Sequence, residues 1–141
     1  MNKPVSPPLL TMSDLAIARG ERVLIENLSF EVARGEALVI RGPNGLGKTT
    51  LLRVLSGLQS AVNGPSFVDE AGFVYCGHEN ALKSQLSVYE NLAFWQLVYG
   101  SHVPVKEALV ALDLVELCDR PAHYLSAGQK RRAGLARMVI A

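Results

Sequence analysis

Apolar and polar positions along this chain read as strands first and helices afterwards. Residues 9–18 are apolar and mixed and predict a strand; Arg19-Gly20-Glu21-Arg22 predicts a turn. Val23-Leu24-Ile25 and Leu28-Ser29-Phe30-Glu31-Val32 predict two further strands, the second alternating as one-sided burial demands. A turn at Arg34-Gly35-Glu36 leads into the run 37–41, expected as a buried strand. From Leu51 the period lengthens: Leu51, Leu52, Leu55 and Leu58 fall on one helical stripe, with a stop expected near Gly57. Asn63-Gly64-Pro65 breaks that pattern, and Gly72-Phe73-Val74-Tyr75 returns as a short strand.

The second half predicts helices. Ser87-Val88-Tyr89-Glu90 is a capping box, opening a helix to about Tyr99 that Gly100 can close in the left-handed conformation. Another helix is expected from Pro104, with Ala108, Leu109, Leu112 and Val115 as its apolar face. Ser126 and Gln129 form a second possible capping box, ahead of a helix that reaches Ala141. Phe94, Trp95 and Tyr99 read either as inter-helix packing or as a docking surface. Residues 1–8 are proline-rich and are expected to form a flexible arm.

The strand at 37–41 and the helix from Leu51 flank Gly42-Pro43-Asn44-Gly45-Leu46-Gly47-Lys48-Thr49-Thr50, which fits the phosphate-loop pattern G-x-x-x-x-G-K-[ST]. Glycines let successive backbone N–H groups turn toward an anion, and the helix beginning near Gly47 aims its positive end at it. Lys48 would reach the β- and γ-phosphates, and Thr49 would place its hydroxyl on Mg²⁺. The start of the last helix, Leu125-Ser126-Ala127-Gly128-Gln129, is a second place where phosphate is welcome; taken alone it reads equally as an ordinary capped basic helix.

Composition narrows the classes. The chain has 141 residues, 49% of them hydrophobic, enough for one domain with a real core. A net charge of +1 gives no basic stripe of the nucleic-acid-binding kind. Cys76 and Cys118 lack metal-site spacing and are expected to pack as free thiols. No signal peptide is visible at Met1-Asn2-Lys3-Pro4, and no apolar run approaches the ~18 residues of a membrane span.

Together the two glycine-bearing loops carry a resemblance. Residues 42–50 resemble the Walker A motif of ATP-binding-cassette ATPases, and Leu125-Ser126-Ala127-Gly128-Gln129 resembles their L-S-G-G-Q signature, with Ala127 in a glycine place. Leu86-Ser87-Val88-Tyr89-Glu90-Asn91-Leu92 is similar to the segment that opens the helical subdomain in transporter members. Gly77-His78, Leu82-Lys83 and the Arg131-Arg132 pair further resemble the ATP-binding subunits of haem exporters in bacterial cytochrome c maturation. The resemblance implies an α/β P-loop NTPase fold. It has an N-terminal antiparallel β part, parallel core strands and a helical subdomain at about 84–125, followed by a signature helix at 126–141. Within a partial ATPase domain at 9–141, Gly42, Pro43, Asn44, Gly45, Leu46, Gly47, Lys48, Thr49 and Thr50 would hold ATP and Mg²⁺.

The implied machine is a pair. Ser126, Ala127, Gly128 and Gln129 of one copy would contact the γ-phosphate of ATP held by a second copy, with Ser126 and the N–H groups of Gly128 and Gln129 as donors. Closure would move integral membrane permease subunits docked on the helical region, from a peripheral position on the cytoplasmic face of the inner membrane. Neither nucleic acid nor direct cargo contact is implied. The alternatives are a nucleotide-binding fragment without ATPase activity and the ATPase subunit of an importer for another solute.

Three departures from the family pattern bear on mechanism. Arg19 stands where an adenine-stacking aromatic is usual, and its guanidinium can stack on a base instead. His78 stands at the usual Q-loop glutamine, the one candidate catalytic position, where it would relay the γ-phosphate state and bring pH sensitivity. No Asp-Glu pair follows an apolar strand, so the Walker B carboxylates and the later switch histidine are missing, and Asp69-Glu70 is no substitute. The expectation is therefore a C-terminally truncated chain with a nucleotide cradle and no evident hydrolytic machinery.

Overall fold

The computed structural model describes residues 8–64, 66–68 and 73–141, and the chain divides into two compact units, Met1–Tyr75 and Cys76–Ala141. Most of the expected arm at 1–8 lies outside the described residues, as do Asp69, Glu70 and Gly72.

In the first unit, β1 (Leu10–Arg19) turns through Gly20 and Glu21 into β2 (Arg22–Val32), and β3 (Ser66–Val68) pairs with the other edge of β1. Both pairings are antiparallel, with Leu10 opposite Val32 in one and opposite Val68 in the other. The register slips at Asp14, where φ is 51°. That extra residue switches the side-chain parity, so Leu10 and Met12 before it and Leu15 and Ile17 after it all reach the same core. The two strands expected at 23–25 and 28–32 are one strand, because Asn27 takes φ 54° as a bulge instead of breaking the ladder.

α1 (Lys48–Leu55) covers this sheet with Leu51 and Leu55. The wider stripe expected from the leucine spacing is not buried: Leu52 and Leu58 are exposed. An eight-residue helix on three strands has contact for one narrow seam only. The segment after α1 returns over β1 through Val62 N–H to Ala16 O at 2.8 Å and Ala16 N–H to Asn63 O at 3.2 Å. Gly64 is required there, since a Cβ would lie 2.8 Å from Leu15 Cα.

The expected parallel core strands do not form ladders among the described residues. Residues 37–41 and 73–75 have no strand partner, and Leu38, Val39 and Phe73 are exposed. A strand is defined by its neighbours' hydrogen bonds, so an apolar run with strong β preference stays irregular without them.

The second unit is helical: α2 (Val88–Tyr99), α3 (Val105–Ala111), short 3-10 turns at Val115–Leu117 and Ala122–Tyr124, and α4 (Ala127–Ile140). Its core joins Val88 and Leu92 of α2, Val105, Ala108 and Leu109 of α3, and Ala133, Ala136 and Ile140 of α4. The capping box at Ser87 and Glu90 is formed, Gly100 closes α2 at φ 60°, and Pro104 precedes the first turn of α3. On α3 the face is narrower than the spacing predicts, with Leu112 only partly buried and Val115 exposed.

Candidate functional site

The glycine loop of the first unit ends in a helix start that no side chain caps. Gly47 is the N-cap of α1, at φ 92° and ψ 11°, and makes no side-chain cap bond. A Cβ there would sit 3.1 Å from Leu24 Cδ1, so both the left-handed backbone and the packing call for glycine. The early N–H groups of α1 therefore open on an exposed loop; the first bond that closes the helix runs from Leu51 N–H to Gly47 O at 2.8 Å.

Lys48 supplies the positive charge. Its Nζ donates to Gly42 O at 2.6 Å and to Pro43 O at 2.7 Å, folding the side chain back across the loop. An ammonium has three donors, and two are held here by carbonyl oxygens at phosphate-like distances. Asn44, Gly45 and Leu46 form the exposed crest, and Thr49 and Thr50 lie in the first turn of α1, with Thr49 exposed. Arg19 ends β1 opposite Arg22, exposed at the hairpin turn. Ala18 O beside it accepts from Gln59 Nε2 at 3.2 Å, tying the strand end to the segment after α1.

The second unit holds Ser126, Ala127, Gly128, Gln129 and His78. Ser126 caps α4: its Oγ accepts from Gln129 N–H at 3.3 Å, and its own N–H donates to Gln129 Oε1 at 2.8 Å. Lys130 N–H already donates to Ser126 O at 2.8 Å. The Gln129 N–H expected at an anion is thus engaged in the cap, and the donors left at this edge are the Ser126 hydroxyl and the N–H groups of Ala127 and Gly128. Ser126, Ala127 and Gly128 are exposed.

His78 is exposed, on a segment fastened to α4. Arg131 Nη1 donates to Gly77 O at 2.7 Å. Arg137, only 4% exposed, donates from Nε to Gly134 O at 3.1 Å, approaches Cys76 Sγ with Nη2 at 3.7 Å, and lies over the Trp95 ring at 4.4 Å. Trp95 stacks on Tyr99 and donates Nε1–H to Ala81 O at 3.1 Å, so the aromatic cluster works largely as packing; Phe94 at its edge stays exposed. Burial pushes the Tyr99 hydroxyl up, against the opposing charge of Arg137, with Cys76 adding to the rise. Cys118 is also pushed up, first by burial and then by Asp119, while both cysteines stay free. Sequence reasoning singled out Arg131 only as part of a motif and missed its hold on Gly77 O, and it missed Arg137 altogether. The signal was their position three residues either side of Gly134, a small residue mid-helix where another backbone passes.

Among the described residues no cluster of His, Cys, Asp and Glu is arranged to hold a metal, and no helix is long and apolar enough to cross a membrane.

Comparison with known proteins places these elements in one family. The family described as ABC transporter matches residues 25–141. The cytochrome c biogenesis ATP-binding export protein CcmA of Paracoccus denitrificans is 50% identical over 132 residues, covering 94% of this chain and 62% of that protein. Its counterpart in Cereibacter sphaeroides is 49% identical over 131 residues, covering 93% and 62%. The Rhizobium meliloti protein of the same name is 42% identical, covering 94% and 70%. This chain thus spans 62% of the length of the first two relatives. Two solved structures share the fold. A putative ABC transporter ATP-binding protein from Pyrococcus furiosus has a TM-score of 0.84 at 24% identity, covering 94% of this chain and 70% of that one. The cbiO1 protein of Clostridium perfringens has a TM-score of 0.74 at 23% identity, covering 96% and 62%. The α/β P-loop architecture expected from the sequence is the architecture of these neighbours, and the chain belongs to the ABC transporter family.

Proposed function

We propose that this chain is the ATP-binding part of a transporter subunit serving haem export in cytochrome c biogenesis, placed peripherally on the cytoplasmic face of the inner membrane. The observation that carries the nucleotide reading is the uncapped start of α1 with the Lys48 ammonium held over the glycine loop. The cargo and pathway rest on the relatives' names and on the motif resemblance, since a cassette of this kind drives transport without touching its cargo. A triphosphate laid on residues 42–50 would take over the early N–H groups of α1, and Lys48 would exchange its loop carbonyls for phosphate oxygens. The exposed Thr49 hydroxyl would hold Mg²⁺, which would supply neutralisation of the phosphate charge. Arg19 would stack on the base, and His78 holds the place of the Q-loop glutamine in the motif resemblance.

In this reading the partners are a second copy of the subunit and integral membrane permease subunits. Ser126, Ala127 and Gly128 are the donors offered to ATP on the other copy. The test is ATP-driven self-association of the chain, followed by sedimentation, beside ATP binding to the monomer. Ser126→Ala is expected to leave monomer binding unchanged and to weaken ATP-driven pairing roughly tenfold, the worth of a charge-assisted hydrogen bond. A variant that loses monomer binding instead would mean that the signature acts on its own chain's nucleotide. Phosphate release, measured in the same samples, separates an ATPase from a binding fragment.

A further inference from the structure

The glycine loop is anchored at both ends. Ile40, just before it, packs on the core of the first unit, and so does Leu24, which lies against Gly47 at the loop's end. Between those ends, Gly45 at φ 87° and Gly47 at φ 92° stand in the left-handed region on either side of Leu46. Neither glycine has a side chain to restrain the crest. Lys48 and Leu46 both reach back across the loop to Gly42. Lys48 Nζ donates to Gly42 O at 2.6 Å. Leu46 brings a methyl against Gly42, where an added Cβ would lie 2.9 Å from Leu46 Cδ1. Gly42 is thus required by packing as well as by its φ of 153°. Leu46 is 48% exposed, so this contact covers part of a leucine that otherwise stands in water.

We propose that Leu46 is a positioning residue, whose side chain keeps the start of the loop in place when Lys48 turns to phosphate. This inference rests on the nucleotide reading above. In that reading the Lys48 ammonium exchanges Gly42 O and Pro43 O for phosphate oxygens. The loop then loses its charged tie at the moment it must present its N–H groups. The contact of Leu46 with Gly42 is apolar, competes for no phosphate oxygen, and survives that exchange. A loop already held in its binding shape gives up less conformational freedom when the ligand arrives, and the difference appears as affinity.

Calorimetric binding of Mg–ATP to the 141-residue chain tests this with three variants at one position. Leu46→Ala and Leu46→Ser remove the methyl and should weaken binding roughly fivefold, whereas Leu46→Met, which can still reach Gly42 with an apolar tip, should stay within about twofold of wild type. Amide hydrogen exchange gives the second readout. With Mg–ATP bound, Leu46→Ala should exchange roughly threefold faster than wild type at 44–46; without nucleotide, where Lys48 still ties the loop, the two should agree within about twofold. Equal affinity of Leu46→Ala and wild type overturns the proposal. Tighter binding by Leu46→Ala also overturns it, since the leucine would then obstruct the phosphates. So does a loss in Leu46→Met as large as in Leu46→Ala, or faster exchange in the nucleotide-free variant alone. A wild-type chain that binds no ATP, or whose binding ignores Lys48→Ala, defeats the nucleotide reading and this proposal together. Binding that depends on Lys48 and not on Leu46 defeats this proposal alone.

Discussion

Asn91 supplies with one amide the hydrogen bonds that the loop before α2 obtains from no strand or helix. It is 2% exposed; its Oδ1 accepts from Lys83 N–H at 2.7 Å, and its Nδ2 donates to Lys83 O, Leu86 O and Ser87 O. Leu86 O and Ser87 O have other donors, from Ala122 and from the Asn91 backbone, but the Lys83 N–H depends on this side chain. Asn91→Leu therefore keeps the volume and orphans one part-buried donor, and is expected to lower stability by roughly 1–2 kcal/mol in urea unfolding. Individual residues were unevenly legible. The Asn91 role was hidden, because an asparagine inside a helix pattern carries no periodicity to show which carbonyls it will meet. Lys48 was legible, because its neighbours at fixed spacing leave its ammonium a single oxygen-rich loop to cover.

The helix ends are where local chemistry and observed structure agree most closely. Both capping boxes form as the residue spacing predicts, at Ser87 with Glu90 and at Ser126 with Gln129. A cap needs only groups three residues apart, so nothing distant can override it. The first box titrates. The Ser87 backbone N–H, then its hydroxyl, holds the Glu90 carboxyl below its ordinary value of 4.5. A depressed folded-state pKa contributes stability that is fully present above the unfolded value and lost as pH falls through the folded value. NMR titration should place Glu90 below 4.5 in the wild-type chain and return it only partway in Ser87→Ala, which removes the hydroxyl and keeps the backbone N–H, the larger cause; a wild-type midpoint at or above 4.5 would mean that the box does not hold the charge. Strands were less legible than caps. Glu26 and Asn27 interrupt the apolar pattern of β2 and make it look like two pieces, and the bulge at Asn27 reconciles that interruption with a single ladder. The runs at 37–41 and 73–75 have strand composition without strand structure, since a ladder depends on partners elsewhere in the chain.

On the scale of the whole molecule, the chain is two units with separate cores, one presenting the glycine loop and the other the capped start of α4 and His78. Its family could be read from the two loops taken together, because each alone has an ordinary structural explanation and their combination does not. The division of labour could not be read from composition: a +1 net charge and 49% hydrophobic residues describe many domains. The central claim is that residues 42–50 hold a triphosphate through Lys48 and the start of α1. Its most direct test is calorimetric binding of Mg–ATP to the 141-residue chain beside Lys48→Ala, with circular dichroism confirming that α1 persists. The account predicts binding by the wild-type chain and at least a roughly tenfold loss in the variant, since an ammonium on phosphate is a charge-assisted contact. Equal affinity in the two proteins would contradict it and would place the nucleotide, if one binds, somewhere other than this loop.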